Sequence, residues 1–361
     1  MSLKSVVEKY KKFISLPNHT FKRLTNKAVV QASRTIASNR AYGIPSHIMM
    51  EISSACQLRC PLCPIGNETF ARTSELMDFD LYKKVVNEIG DYIYHINLNG
   101  MGEPTLNHQI LPMIKYAKEK GIFVDLYTNF QLEKKSMIEG LIDAGLDSIL
   151  IAMDGASKEN YEDYRVGGKF EAIVSNVKHL VEARKKLGSK TPEINIQFIP
   201  LNHNKGDLDK MSDMVRSLGA DNLYVKRPFL FRGTGDSEKD HEYIKTDENE
   251  PSEADGYNLY KVDEKGASWQ LKTKNVCDYL WTSTVVLADG SVSPCCFDYD
   301  GTVNFGNVGE HKFQDIWNNK TYKNFRKANK KDWRAIPLCA NDFEGGCPHM
   351  YIAADDWLIK M

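Results

Sequence analysis

The chain has 361 residues, 42% of them hydrophobic and 26% charged, a composition typical of a globular protein with a substantial core. Its formal net charge of −1 gives no reason to expect nucleic acid as the main partner. The sequence shows no signal peptide and no apolar run of the roughly 18–20 residues that a membrane span needs. We therefore expect a cytoplasmic protein of two or three domains, from a prior of about 150 residues each. Thiols stay reduced in that compartment, where clustered cysteines more often bind metal or do chemistry than form disulfides.

The first 45 residues are basic and are predicted to form one or two amphipathic helices. Apolar residues recur three and four positions apart in "SVVEKYKKFISL" and "FKRLTNKAVVQASRTIAS", and Glu8 is the only acidic residue before residue 51. One interpretation is a helical arm that packs on the main domain with a solvated basic face. The other is a docking surface for an anionic membrane or partner.

Short apolar runs alternate with helix-like segments from residue 46 onward. The first strand candidates are "HIMMEIS", "YHINLNG" and "FVDLYTN", with three more before residue 232, and several helix-like segments end in Gly. This repetition predicts a parallel sheet with right-handed crossovers, in the form of a partial (β/α)6 TIM-like barrel. We expect the active site at the carboxyl ends of its strands. The predicted organisation is a helical arm over 1–45, the barrel over 46–232, an acidic linker over 233–274 and a small cysteine-bearing domain over 275–361.

Three of the eight cysteines, Cys56, Cys60 and Cys63, lie in the loop that follows the first predicted strand. Their CxxxCxxC spacing suits an iron-sulfur cubane better than zinc, because a structural zinc site takes four protein ligands. Three protein ligands leave the fourth iron open to a substrate or cofactor.

The segment "CQLRCPLC" resembles the signature loop of radical S-adenosylmethionine (SAM) enzymes. The resemblance implies a 4Fe-4S cluster whose unique iron binds SAM, and a 5′-deoxyadenosyl radical that abstracts hydrogen from a C–H bond. The position before the third cysteine is often aromatic in that family and is Leu62 here, a residue that can still pack on the adenine.

The ends of the later strands agree with this resemblance. "NGMGEP" resembles the glycine-rich loop that contacts the SAM amino group, and glycine lets backbone approach a ligand. Arg165 would suit the SAM carboxylate because a guanidinium forms two parallel bonds, although it could equally be a surface residue at a helix start. Lys226 and Arg227 end the sixth strand, and only one of them can point inward. The residues expected to bind the cofactor are Leu62, Gly102, Glu103, Pro104, Thr128, Asn129, Asp154, Arg165 and Gln197.

The last segment, beginning "CDYLWTSTVVLADGSVSPCC", resembles the opening of the SPASM and twitch domains that hold auxiliary clusters in radical SAM enzymes. The resemblance implies one closed auxiliary 4Fe-4S cluster, and a four-thiolate zinc site is the alternative. Cys296 is left over: it is a buried apolar neighbour of the cluster, an alternative ligand, or a catalytic hydrogen-atom donor to a substrate radical, as an epimerase requires. Asp298 and Asp300 are turn residues or general bases. The expected auxiliary ligands are Cys277, Cys295, Cys339 and Cys347.

The substrate class follows only from the resemblance. The family's single-auxiliary-cluster members act on carbohydrates or aminocyclitols, and the arm is too short for the leader-recognition domain of many peptide-modifying members. We therefore expect a dehydrogenase or epimerase of a sugar or aminocyclitol, supplied with electrons by a flavodoxin- or ferredoxin-type reductant. A peptide maturase and a non-catalytic iron-sulfur protein are the alternatives.

Overall fold

The computed structural model describes residues 19–132, 134–226, 243, 260–263, 266–269, 275–340, 347 and 357–360. None of the helices in this part of the chain is long and apolar enough to cross a membrane. The strands are β1 His47–Met50, β2 His95–Leu98, β3 Phe123–Thr128, β4 Ser148–Ala152, β5 Glu193–Phe198, β6 Asn222–Val225, β7 Tyr260–Asp263, β8 Gly266–Trp269, β9 Val285–Val286, β10 Val292–Ser293 and β11 Trp357–Lys360. The α-helices are α1 Phe21–Thr35, α2 Phe79–Ile89, α3 Ile110–Glu119, α4 Lys135–Asp143, α5 Lys158–Tyr164, α6 Phe170–Lys186, α7 Leu208–Leu218, α8 Tyr279–Thr282, α9 Phe313–Trp317, α10 Lys320–Asp332 and α11 Pro337–Ala340.

Strands β1 to β6 lie side by side in chain order and all five pairings are parallel. The outer edge of β1 pairs with β9 and the outer edge of β6 pairs with β11, so the sheet is a partial barrel whose two edges are covered. The predicted partial barrel is confirmed.

The two faces of this sheet differ in chemistry. One face carries Ile48, Ile96, Val124, Ile149 and Leu223, all fully buried in one core cluster with the apolar residues of the helices. The opposite face, which lines the barrel interior, carries most of the polar strand residues because each strand alternates. These residues form a staggered polar band in which the register pairs His47 with His95, Asn97 with Asp125, Asp125 with Ser148, Ser148 with Glu193, and Asn195 with Asn222.

Hydrogen bonds connect neighbouring members of this polar band. His95 Nε2 lies 2.8 Å from a carboxylate oxygen of Asp125, and the other Asp125 oxygen accepts a 2.6 Å bond from Asn97. On the far strands Asn222 donates to Asn195 at 2.7 Å. This part of the barrel interior is therefore polar and partly hydrogen-bonded, since His47 Nε2 and Asn97 Oδ1 are buried without a hydrogen-bond partner among the described residues.

The described part of the N-terminal arm packs at the amino ends of the strands. Residues 1–18 of the predicted helical arm lie outside the described residues; α1 is one helix of that arm. The buried Arg23 guanidinium donates to the carbonyls of Gly90, Lys120 and Gly121, which precede β2 and β3. Arg34 pairs with Asp278 at 2.6 Å. These contacts place α1 at the opposite end of the barrel from the strand carboxyl ends.

The C-terminal segment continues the barrel sheet. Besides β9 and β11, it contributes the buried indoles of Trp281 and Trp317, which donate to the carbonyls of Ser38 and Gly43. Arg326 is buried, with its guanidinium carbon 4.4 Å from the Trp317 ring centroid and 4.1 Å from that of Tyr322. One core therefore includes residues from both predicted domains.

The predicted linker over 233–274 contains structure that the sequence reading did not anticipate. Strands β7 and β8 pair antiparallel over four residues each. The three boundaries between the four predicted segments stay predictions.

Candidate active site

The three-cysteine loop runs from the end of β1 over the carboxyl ends of the strands. It turns tightly: Cys63 N donates to Cys60 O at 3.0 Å, and Gly66 N donates to Cys63 O at 2.8 Å. A Cβ atom at Gly66 would lie 2.0 Å from Cys60 O, so only glycine fits there. Cys60 is buried and the other two cysteines are half-buried.

The electrostatics of this loop disfavour negative charge on the sulfurs of Cys56 and Cys63. Burial raises the pKa of Cys56 to about 12, and burial followed by the neighbouring Cys60 raises the pKa of Cys63. These two thiols are therefore neutral unless a cation stabilises the thiolates. Iron supplies that positive charge, and its binding releases protons.

The Gly102–Glu103 segment ties the end of β2 to the cysteine loop and to β3. A Cβ atom at Gly102 would lie 2.4 Å from Ser53 O, and Glu103 N donates to Ala55 O at 2.7 Å. The buried Glu103 carboxylate accepts from Thr128 Oγ1 and Asn129 N, both at 2.7 Å. Burial raises the pKa of Glu103 despite these bonds.

Pro104 follows the Gly102–Glu103 segment at the end of β2, and Asn129 follows β3. Pro104 is buried and begins the short 3₁₀ helix Pro104–Leu106. Asn129 Nδ2 lies 3.7 Å from Cys56 Sγ, and Asn129 Oδ1 accepts from Gln57 at 3.2 Å. The structure thus brings the predicted residues Gly102, Glu103, Thr128 and Asn129 together beside Cys56.

Arg165 and Asp154 form a second group beside the loop. Asp154 is fully buried; one carboxylate oxygen accepts from Ile199 N at 2.8 Å and the other from the Arg165 guanidinium. Arg165 Nη1 lies 3.5 Å from Cys60 Sγ, whereas its buried Nε has no partner among the described residues. Asp154 therefore orients Arg165 toward the cysteines, and its expected role in binding the cofactor stays a prediction.

Leu62 is buried beside Leu58, Tyr164 and Leu201 rather than on the open side of the loop. Its predicted packing on the adenine stays a prediction.

Gln197 is half-buried on the inner face of β5, beside Tyr224 of β6. Lys226 continues that face, with its ammonium 4.8 Å from the Tyr127 ring centroid, so Lys226 is the inward residue of the predicted pair. Arg227 lies outside the described residues. The interior of the barrel mouth is thus lined by amide, phenol and ammonium groups.

The sequence reading missed Glu51 and Arg72. Glu51 is buried at the end of β1 and accepts two bonds from Arg72, at 2.7 and 2.8 Å, and one each from the backbone of Met101 and Ala288 at 3.2 Å. Arg72 also donates to Tyr299 O at 2.7 Å. The sequence signal that could have identified Glu51 is its place as a carboxylate directly after an apolar strand. This ion pair connects the cysteine loop side of the barrel to the C-terminal segment.

The four predicted auxiliary ligands, Cys277, Cys295, Cys339 and Cys347, are all buried. Burial raises the pKa of Cys295 well above its ordinary value, and Cys296, Cys347 and Cys277 raise it further. Cys347 N donates to Cys339 O at 2.8 Å, so the backbones of these two cysteines are in direct contact. Within the described residues, no three His, Cys, Asp or Glu side chains are arranged to hold a single metal ion.

Cys296 differs from its neighbour in being half-buried. Burial raises its pKa to about 11, and the nearby Lys226 opposes that rise. The thiol therefore lies on the side of the C-terminal segment that faces Lys226.

Asp298 and Asp300 make different kinds of contact. Asp298 is buried and accepts from Ser293, Thr302 and Val303, all within its own turn. Asp300 accepts from the distant Ala71 N at 2.9 Å. The choice between turn residues and general bases stays a prediction.

The first centre fits the group that the sequence implies. It offers three free thiols in one loop, two positions where only glycine fits, and a buried guanidinium N–H without a partner in the described structure. Residues 50–196 match the model of the radical SAM superfamily, and residues 277–347 match that of SPASM, an iron-sulfur cluster-binding domain. The chain belongs to the radical SAM superfamily and carries a C-terminal SPASM domain. Its cofactors are SAM, the 4Fe-4S cluster that binds it, and auxiliary iron-sulfur.

Three proteins are similar to this chain over three quarters of its length or more. A tungsten-containing aldehyde ferredoxin oxidoreductase cofactor-modifying protein of Pyrococcus furiosus is 27% identical over 303 residues, which are 78% of this chain and 83% of the relative. A PqqA peptide cyclase of Methylobacterium nodulans is 26% identical over 76% of this chain and 73% of the relative. The structure of Streptococcus suis SuiB bound to precursor peptide SuiA has a TM-score of 0.63 and 15% identity, and covers 96% of this chain and 83% of SuiB. This last similarity shows the shared fold.

Proposed function

We propose that this radical SAM enzyme modifies a peptide or a peptide segment of a protein. The observation that carries the proposal is the similarity to PqqA peptide cyclases over about three quarters of both chains. The expected sugar or aminocyclitol substrate, and with it the epimerase activity, has no support among these relatives. The peptide alternative is therefore preferred, because the number of auxiliary clusters and the length of an N-terminal arm do not determine which substrate a barrel accepts.

When bound, the first cluster and SAM supply a 5′-deoxyadenosyl radical that abstracts hydrogen from the substrate. Cys56, Cys60 and Cys63 would hold that cluster. Arg165, oriented by Asp154, would place a guanidinium N–H toward the SAM carboxylate. The Gly102–Glu103 segment would keep backbone close to the amino group.

The polar inner face would hold the substrate below the cluster. Tyr127, Gln197 and Lys226 offer hydrogen-bond donors and one positive charge at the mouth, which suit amide groups and an acidic side chain. The four buried cysteines of the SPASM domain would hold one auxiliary cluster and close it to substrate. A flavodoxin- or ferredoxin-type reductant and the hydrogen-donor role of Cys296 stay predictions.

The test compares substrate classes on one preparation. The anaerobically reconstituted enzyme, with SAM and dithionite, is incubated with synthetic peptides encoded by short reading frames beside its gene, and separately with aminocyclitols. We expect faster 5′-deoxyadenosine formation with a peptide, and a peptide product that has lost two hydrogens. Stimulation by an aminocyclitol alone would overturn the peptide proposal, and no 5′-deoxyadenosine under any condition would favour a non-catalytic protein.

A further inference from the structure

Helix α1 is amphipathic in the reverse of the usual sense. Its buried residues are mostly polar: Arg23, Asn26 and Ser33 are between 1% and 8% exposed. Asn26 donates to Ile44 O at 2.8 Å and Arg23 donates to three loop carbonyls, so this polar face is satisfied by the body of the protein. The helix is therefore anchored through its polar side, and its apolar side faces outward.

We define the outward face of α1 as Phe21, Leu24, Val29 and Ile36. Their exposed fractions are 82%, 44%, 39% and 64%, at spacings that place them along one side of a helix. The row is about 22 Å long for a 15-residue helix. Tyr42, 65% exposed, lies in the loop that follows. Soluble proteins rarely present a contiguous row of large apolar side chains unless it is a contact surface.

The N-terminal part of the sequence, to which α1 belongs, is strongly basic. Residues 1–50 contain nine Lys and Arg residues and one acidic residue, whereas the whole chain has a net charge of −1. The remaining residues are therefore net acidic. Lys22 and Arg34 pair with Asp91 and Asp278 at the edges of the helix, while Arg40 is exposed beside Tyr42. The basic part of the sequence thus includes the helix that carries the exposed apolar row.

We propose that the outward face of α1 docks on an anionic lipid bilayer. An interfacial helix combines an apolar row that enters the headgroup region with basic residues that attract anionic lipids, and this segment has both. Because α1 lies at the amino ends of the strands, docking leaves the mouth of the barrel facing away from the membrane. The proposal is independent of the substrate.

The test is co-sedimentation of the full chain with vesicles of phosphatidylcholine containing about 30% phosphatidylserine. We expect binding to these vesicles, little binding to pure phosphatidylcholine, and a decrease as salt rises from about 0.1 M to about 1 M. The triple variant Phe21→Ser, Leu24→Ser, Ile36→Ser should bind about a hundredfold more weakly. Leu187→Ser, an equally exposed apolar residue at the end of α6, is the matched control and should bind like the unsubstituted chain.

Three outcomes would overturn the proposal. The first is no binding to anionic vesicles by the unsubstituted chain, and the second is unchanged binding by the triple variant. The third is a dimer in size-exclusion chromatography that the triple variant converts to a monomer, which would assign the face to a second copy. All of the exchanged side chains are solvent-exposed, so unchanged circular dichroism and unchanged 5′-deoxyadenosine formation verify that the variant is folded.

Discussion

The two cysteine centres of this molecule are built in opposite ways. Cys56, Cys60 and Cys63 lie within eight residues of one loop, and two of them are half-buried. Cys277, Cys295, Cys339 and Cys347 are spread over 71 residues, and all are buried. The first centre is a local feature supported by strand ends, whereas three of the second centre's cysteines belong to the hydrophobic core itself. We infer that the first centre serves chemistry and the second also contributes to folding stability.

The largest expected effect is on the first centre. Cys60→Ser should abolish 5′-deoxyadenosine formation, because the loop then lacks one of its three cluster ligands. Iron in the reconstituted protein should fall by about four atoms, while the thermal unfolding temperature changes little. Iron analysis measures the cluster content, the nucleoside assay measures 5′-deoxyadenosine formation, and calorimetry measures the unfolding temperature. A large loss of thermal stability would contradict the contrast between the centres.

Cys339→Ser should act in the reverse manner. Loss of a buried ligand opens the second centre inside the core, so we expect about four fewer irons and a loss of at least about 3 kcal/mol in the free energy of unfolding. Cleavage of SAM by the first cluster should survive. Denaturant unfolding of the reconstituted proteins measures the free energy of unfolding. Equal stability of the variant and the unsubstituted chain would contradict the predicted loss.

Substitutions in the ion pair of Glu51 and Arg72 test whether this contact between the barrel and the C-terminal segment stabilises the protein. Arg72→Met leaves the Glu51 carboxylate buried without its cation and should cost about 2–4 kcal/mol. Adding Glu51→Gln should recover part of that loss, because the uncompensated charge disappears. The pair of variants is compared by urea unfolding. If the double variant is no more stable than Arg72→Met, the buried charge is not the source of the cost.

The smallest effect is expected at Arg165. Arg165→Gln should weaken SAM binding about tenfold, by removing one charge-assisted contact, and leave both iron contents unchanged. Arg184→Gln is the matched control, since Arg184 pairs with Asp221 at the other end of the barrel. Equilibrium binding of SAM to the reconstituted proteins measures this effect. If both substitutions weaken SAM binding equally, Arg165 does not belong to the SAM site.

The sequence could predict those parts of the molecule that depend on neighbouring residues. The six-strand barrel followed from alternation, and the three-cysteine loop from spacing and its place after β1. Glu51 offered one local signal, its place directly after an apolar strand, but its bond to Ala288 and the bond of Arg72 to Tyr299 could not be predicted, because these partners are more than 200 residues away in the chain. The reversed polarity of α1 was equally hidden. Its period is that of any amphipathic helix, and only the contacts of Arg23 and Asn26 determine which side is buried.

The central claim, a radical SAM enzyme that acts on a peptide, is tested most directly by isotope transfer. Reconstituted enzyme is incubated anaerobically with SAM, dithionite and a candidate peptide that carries deuterium on its side-chain carbons, and the 5′-deoxyadenosine is analysed by mass spectrometry. We predict deuterium in the nucleoside from a labelled peptide. Deuterium transferred from a labelled aminocyclitol, with none from any peptide that binds, would contradict the account.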